Sequence, residues 1–285
     1  VFSAQHAGQR IRETDALDGQ QEGLLIGYAQ SKWVAEQLVL QAGARGLPVA
    51  IYRPGTITGH SQSGVWNTDD FLCRAIKGAI QLGSLPGTDE QLDLTPVDYV
   101  SRSIVALSLR TASWGMAYHL IHPSGLRLRE LADFIRSLGY PLRSVSYPQW
   151  RGELLAAAQQ SMDNALYPLV PLLADGTLES QLPLPAEAFD CRRAAEGLVG
   201  TNIVCPPVDA ALLRTYVGYL QRSGFLPLPP DEATDAGADQ QDDVKEDLAE
   251  LAGEVGAPAQ EGPLTTRPPR ASRSALSARD DSDDR

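Results

Sequence analysis

The chain has 285 residues, room for one large domain or two small ones, and 43% of them are hydrophobic, enough for a real core. Its net charge of −12 and pI near 4.8 exclude nucleic-acid binding through a basic surface. The acidity is uneven: Asp231 to Arg285 holds fifteen acids and six bases, net −9, which leaves −3 for residues 1–230.

Three cysteines, Cys73, Cys191 and Cys205, form no Cys-x-x-Cys pair. They suit reduced thiols in a cytosol, not a disulfide frame or a zinc site, so a cytoplasmic protein without a metal is expected. No apolar run approaches the roughly 18 residues of a membrane span, and no signal peptide opens the chain. The first residue is Val1, so the chain is expected to start inside a longer product.

Val1-Phe2-Ser3 reads as the end of a strand and residues 6–23 as a polar loop. From Tyr28 to Gln41, Trp33, Val34, Leu38 and Val39 recur at helical spacing, and Gly43, Gly46 and Pro48 end that helix. Residues 49–53 are a short β-branched run stopped by Pro54-Gly55, the pattern of a buried strand. A Gly/Ser/Thr-rich loop covers 54–67, after which Asp69 and Asp70 stand at a helix start. Phe71, Leu72, Ala75, Ile76 and Ile80 give that helix its apolar face. A strand-like run at 92–98 turns into a helix through Leu109, with Asp98 as an expected cap. A strand at 116–121 and a helix at 128–138 follow. Helix and strand alternating in this way signal a parallel sheet with crossover helices. Beyond Ser144 segments near 149–160, 164–173, 188–199 and 208–222 read as helical, with no strand alternation, up to Gly224-Phe225-Leu226. Residues 229–285, rich in Asp, Ala, Gly and Pro, cannot bury enough apolar surface to offset ordering entropy. They are expected to be disordered, with a transient acidic helix at 243–254.

Tyr28 and Lys32 stand four residues apart and so share a helix face. An ammonium beside a phenol favours the phenolate, which suits proton exchange with a substrate oxygen near neutral pH. The spacing alone has roughly a one-in-ten chance of arising at random in this composition, so it needs company. The alternative is a helix-start aromatic and a solvated charge. The company is the turn Tyr52-Arg53-Pro54-Gly55-Thr56-Ile57-Thr58-Gly59 at a strand's carboxyl end, where parallel sheets place ligands. Its backbone groups suit a nicotinamide carboxamide. Trp66 and Asn67, before a helix start, suit a substrate pocket, with core packing the alternative for Trp66.

Five ordered blocks carry a family resemblance: "GYAQSKWVAEQLV", "GLPVAIYRPGTITGHSQSGVWNTDDFLCRAIKG", "LTPVDYVSRSIVAL", "FDCRRAAEGL" and "CPPVDAALLRTYVGYLQRSGFL". Residues 1–226 resemble the reductase family of extended short-chain dehydrogenases that release thioester-bound products from nonribosomal peptide and polyketide synthetases. Carboxylic acid reductases and α-aminoadipate reductase share that domain. The resemblance implies NADPH as cofactor and a phosphopantetheinylated carrier protein as partner, its acyl or peptidyl thioester being reduced to an aldehyde or alcohol. It implies Tyr28 as proton donor, Lys32 as its neighbour and ribose ligand, Pro54, Gly55, Thr56 and Ile57 as nicotinamide contacts, and Trp66 and Asn67 as substrate-binding residues.

The expected architecture is α/β. Residues 1–143 are a partial Rossmann-type parallel sheet whose N-terminal strands are missing, residues 144–228 a mostly helical substrate subdomain, and residues 229–285 a disordered tail. The family's glycine-rich phosphate-binding turn is not found in the sequence, so the isolated chain is expected to bind NADPH weakly or not at all. Two rival readings are a nucleotide-sugar epimerase or dehydratase and a non-catalytic remnant that only docks a carrier domain. His119 and His122, three apart on a strand, point to opposite faces and are not expected to share a metal. His60 either approaches substrate or faces solvent. Arg74 with Lys77, and Arg192 with Arg193, either meet an acidic carrier domain or are solvated.

Overall fold

The computed structural model describes residues 10–17, 19–171 and 185–230. The expected strand end at 1–3, the tail from Asp231 with its transient helix, and positions 172–173 of one expected helix lie outside the described residues.

The first helix, α1, runs Gly27–Ala44 and leads through a short loop into β1, Ile51–Pro54. Gly43 lets them approach closely, since a Cβ there would lie 2.6 Å from Val49 Cγ2. β2 is Ile57–Thr58, and α2 spans Phe71–Leu82. The Asp70 carboxylate accepts from the Leu72 N–H at 2.8 Å, so the helix-start signal acts as read, and Gly83 in the left-handed region ends the helix. β3 (Ser84–Pro86), β4 (Gln91–Leu92) and β5 (Thr95–Pro96) lead into α3, Val97–Ser108. β6 (Ala117–Leu120), β7 (Leu126–Arg127), α4 (Leu128–Ser137) and β8 (Arg143–Val145) follow. Then come α5 (Tyr147–Gln160), α6 (Arg192–Gly197) and α7 (Ala210–Arg222). Ser146 caps α5 and Asp209 caps α7 through the Ala211 and Leu212 N–H groups. Within the segment expected to be helical at 164–173, a 3-10 turn covers Tyr167–Leu169 and residues 170 and 171 are helical.

Strand pairing is parallel for β1 with β6, β2 with β5 and β3 with β8, and antiparallel for β4 with β7. The α/β character read from the alternation of elements is therefore present. β8 crosses the expected boundary at 143/144, and its partner β3 lies 59 positions earlier by the Ser84–Arg143 register. That strand is too short and polar to read locally.

The main core joins parts that the sequence kept separate. Leu72, Cys73 and Ile76 of α2, Leu131 and Ile135 of α4, and Leu212, Tyr216, Val217 and Leu220 of α7 pack with Trp66 and Leu94. A second core sets Val100 and Leu107 of α3 against Tyr118 and Leu120 of β6, Ala194 of α6 and Leu198 just after it. Helix α7 is thus built into the body of the domain: it supplies the floor under the loop that follows β2.

Candidate functional site

The site begins with α1. Tyr28 is 70% exposed, and Lys32 lies one turn further on with its Nζ 5.5 Å from the centroid of the Tyr28 ring, within cation–π range. The spacing in the sequence does place the two side chains together. Glu36, one turn further still, accepts from Arg53 Nε at 2.9 Å and Nη2 at 2.5 Å, which pins α1 to β1. From that contact, Lys32 and Tyr28 lie about 6 and 12 Å up the helix axis. Helix and strand run in opposite directions around a short loop. The exposed pair therefore sits at the end of the sheet where β1 gives way to the Pro54–Ile57 turn.

That turn is fastened from below. The Gly55 N–H donates to the Leu120 carbonyl at 3.1 Å, and the Thr56 carbonyl accepts from the Thr95 N–H at 3.0 Å. The Thr56 N–H donates to Asp93 Oδ2 at 2.7 Å. Asp93 is buried and also accepts from Thr95 Oγ1 (2.6 Å) and the His122 N–H (3.1 Å). Burial pushes its carboxyl above the usual range, while these three donors favour the charged form. A Cβ on Gly55 would lie 1.5 Å from Asp93 Oδ2. Gly55 is absent from the left-handed glycines, so the reason for glycine here is space. At least three of the turn's backbone groups are used inside the protein. Nothing in the sequence assigned Asp93 a role; the signal is an acid inside an apolar strand-like run, Leu92-Asp93-Leu94.

Trp66 is only 7% exposed, its ring 5.1 Å from that of Tyr216. Its large apolar surface packs against α7, the core-packing arrangement, within the cluster that joins α2, α4 and α7. Asn67 is exposed, and its Oδ1 accepts from the Asp69 N–H at 3.1 Å, a turn before α2. Tyr216 Oη donates to the Gly59 carbonyl at 3.0 Å and lies 2.9 Å from Thr58 Oγ1, tying this loop to α7. Asp98 does stand in the first turn of α3, but its carboxylate takes the Ser61 N–H and Oγ instead of capping the helix. Those donors hold its pKa below the usual range, against the opposing effect of burial.

Both buried histidines are committed. His119 Nδ1 faces the Asp190 carbonyl at 2.9 Å, and His122 Nε2 faces the Pro206 carbonyl at 3.0 Å while its Nδ1 accepts from Gly125. No cluster that could hold a metal ion occurs among the described residues. His60 Nδ1 accepts from the N–H groups of Gln62 and Ser63 in its own turn. Arg74 pairs with Asp69 at 2.6 Å and Lys77 lies 4.5 Å over the Phe225 ring; Arg192 pairs with Asp190 at 2.7 Å, and Arg193 Nη1 reaches the Ala117 carbonyl. Glu13 is a second residue that the sequence did not mark. Buried, it accepts from the N–H groups of His119, Arg193 and Ala194, joining residues 10–17 to β6 and α6.

No helix among the described residues is long and apolar enough to cross a membrane. Residues 2–104 match the NAD-binding family described as Male sterility protein. The L-2-aminoadipate reductase of Saccharomyces cerevisiae is 36% identical over 233 residues, 77% of this chain and 16% of that protein. A nonribosomal peptide synthetase of Cladobotryum sp is 36% identical over 210 residues, 70% of this chain and 20% of that one. Among solved structures, the terminal R domain of the myxalamid PKS-NRPS pathway superposes with a TM-score of 0.71 at 45% identity, covering 77% of this chain and 55% of that one. A thiolation-reductase di-domain from an archaeal non-ribosomal peptide synthetase shares the fold, with a TM-score of 0.60 at 21% identity over 79% of this chain and 47% of that one. The chain thus spans about a sixth to a fifth of the curated relatives' length and about half of the R domain.

Proposed function

We propose a function from the premise that this chain belongs to the reductase-domain family that includes the L-2-aminoadipate reductases and the terminal R domains of nonribosomal peptide synthetases. We read it as a segment of an oxidoreductase whose complete domain binds a nicotinamide cofactor. In our reading the cofactor is NADPH, the substrate is an acyl or peptidyl thioester on a carrier protein's phosphopantetheine arm, the product is an aldehyde or alcohol, and the setting is the cytoplasm. One observation carries it: the exposed Tyr28 and Lys32 stand together on α1, which Glu36 ties to Arg53 of β1, directly before the Asp93-fastened turn.

A bound NADPH would be held by Lys32 and the Pro54–Ile57 turn and would supply the hydride for the thioester carbonyl carbon. The chain's own residues do the rest. Tyr28 Oη gives its proton to the carbonyl oxygen as negative charge develops there. Lys32 steadies that phenol electrostatically and offers an ammonium to the nicotinamide ribose. The Pro54–Ile57 turn orients the nicotinamide, held in place by Asp93. As the C–S bond of the tetrahedral adduct breaks, the adduct's hydroxyl proton returns to the Tyr28 phenolate, leaving the aldehyde, and the departing pantetheine thiolate takes up a proton from solvent. Thiolate leaves readily, so orientation and oxyanion stabilisation are the protein's main contribution.

The test is NADPH oxidation with an acyl-carrier thioester, measured on the chain and on the longest polypeptide its gene encodes. Tyr28→Phe should lower kcat by about 100- to 10,000-fold, the usual worth of a positioned proton donor. An active parent whose Tyr28→Phe variant stays within about threefold would overturn the assignment.

A further inference from the structure

Helix α1 carries the proton-transfer pair, yet its packing does little to orient it. None of its eighteen residues is buried, and Val34, Leu38, Val39 and Leu40 are all exposed. Polar ties hold it instead: Gln30 Nε2 donates to the Leu24 carbonyl (2.7 Å), Trp33 Nε1 to the Leu17 carbonyl (2.9 Å), and Arg53 grips Glu36 at two points. The last is the deep one, with side chains only 11% and 9% exposed.

An ion pair at such depth is not a simple way to gain stability, since desolvating two charges offsets most of their attraction and apolar side chains of similar size often serve as well. What it does supply is an assignment of charge. Tyr28, Lys32 and Glu36 follow one another at intervals of four along one helical stripe, turning by about 40° per step. Lys32 therefore has two neighbours within reach, the Tyr28 ring on one side and the Glu36 carboxylate on the other. A lysine four residues before a glutamate on a helix is within pairing reach of it, although this is the weaker of the two orientations, and that pairing would draw the ammonium away from the phenol.

Arg53 is in turn held from behind. Its Nη1 lies 3.4 Å from His119 Nε2. His119 Nδ1 faces a carbonyl, which can only accept, so Nδ1 carries the proton and Nε2 turns its lone pair towards the guanidinium. The guanidinium thus has an acceptor on either side, and β1 keeps it level with Glu36.

We propose that Arg53 is a positioning residue: by holding the Glu36 carboxylate on β1, it keeps Glu36 off Lys32 and leaves the Lys32 ammonium to Tyr28. The inference rests on the Tyr28–Lys32 reading for its catalytic meaning, but its geometry can be tested without catalysis.

The chain has three lysines, Lys32, Lys77 and Lys245, so lysine-selective carbon labelling gives a spectrum that two substitutions assign. In the 285-residue chain the Lys32 ε-methylene protons should show an upfield ring-current shift from Tyr28. Arg53→Met should abolish that shift as Glu36 captures Lys32. Arg53→Met combined with Glu36→Gln should restore it, although it removes one more native side chain. A merely structural role predicts the reverse order, with the double variant no better than the single. If Arg53→Met does not fold, Arg53→Lys replaces it: a single ammonium grips Glu36 less well, and part of the shift should be lost. An unchanged Lys32 signal in the single variant, or no recovery in the double, overturns the proposal. In an active reductase the same order should appear in kcat, falling roughly tenfold to a hundredfold in Arg53→Met with KM unchanged and recovering in the double variant. An inactive parent would count against the proposed function, while the spectra would still decide this inference.

Discussion

Replacing Gly55 by alanine puts a methyl carbon 1.5 Å from Asp93 Oδ2, where ordinary contact begins at 3.4 Å, so the turn or the carboxylate must move by about 2 Å. Asp93 cannot move cheaply. Its carboxylate is buried and takes hydrogen bonds from the Thr56 N–H, Thr95 Oγ1 and the His122 N–H. Hydrogen bonds to a charged group are worth about 1.5–3 kcal/mol each, and a buried charge stripped of its partners costs about 3–5 kcal/mol. Some rewiring will occur, so we expect Gly55→Ala to destabilise the chain by about 3–5 kcal/mol, a fall in Tm of roughly 10 °C for a domain of this size. The assay is urea unfolding followed by tryptophan fluorescence and far-UV circular dichroism, run as a double-mutant cycle with Asp93→Ala. Once the carboxylate is gone, the next atom from the new Cβ is Ile121 Cγ1 at 3.3 Å, a tight but tolerable contact. Gly55→Ala should then cost less than about 1 kcal/mol in the Asp93→Ala background. Equal costs in the two backgrounds would refute the reasoning, since the clash with Asp93 is its whole basis.

Two further expectations concern titration. Arg192 donates to Asp190 from its backbone N–H, Nε and Nη2, and these bonds hold the Asp190 carboxyl at about 2. A carboxyl depressed in the folded state contributes stability that is complete above its unfolded pKa, near 4, and is lost as pH falls towards 2. Asp190→Asn should therefore flatten the acid side of the stability–pH curve between about 4 and 2. The difference should shrink in high salt, because the Arg192 side chain is 77% exposed; identical curves for parent and variant would contradict this. His119, its pKa lowered to about 4 mainly by burial, should be neutral at pH 7 with its proton on Nδ1. Its stabilising share is present above the unfolded value near 6.5 and lost as pH falls towards 4. Long-range nitrogen correlation spectra across pH would show this, and a midpoint near 6.5 or a proton on Nε2 would rule it out.

The sequence by itself determined the parts of this protein whose causes are local. Apolar spacing with Asp70 and Gly83 at the ends delimits α2, and four-residue spacing is sufficient to bring Tyr28 beneath Lys32. Turn glycines and prolines delimit β1, and the five motif blocks carried the family. What only the tertiary structure decided depends on partners far away in the chain. Asp93 reads as one more acid until the fold brings Thr56 to it, and Glu13 until His119, Arg193 and Ala194 arrive. Trp66 read as suited to a pocket or to a core, and only the fold brings Tyr216 of α7, 150 positions later, against its ring. Helical period and capping act over a few residues, and any reader of the sequence can apply them. Which buried charge meets which donor is fixed only when distant segments fold together. That is why the chemical pair on α1 was legible at once, and the Arg53–Glu36 contact that holds it was not.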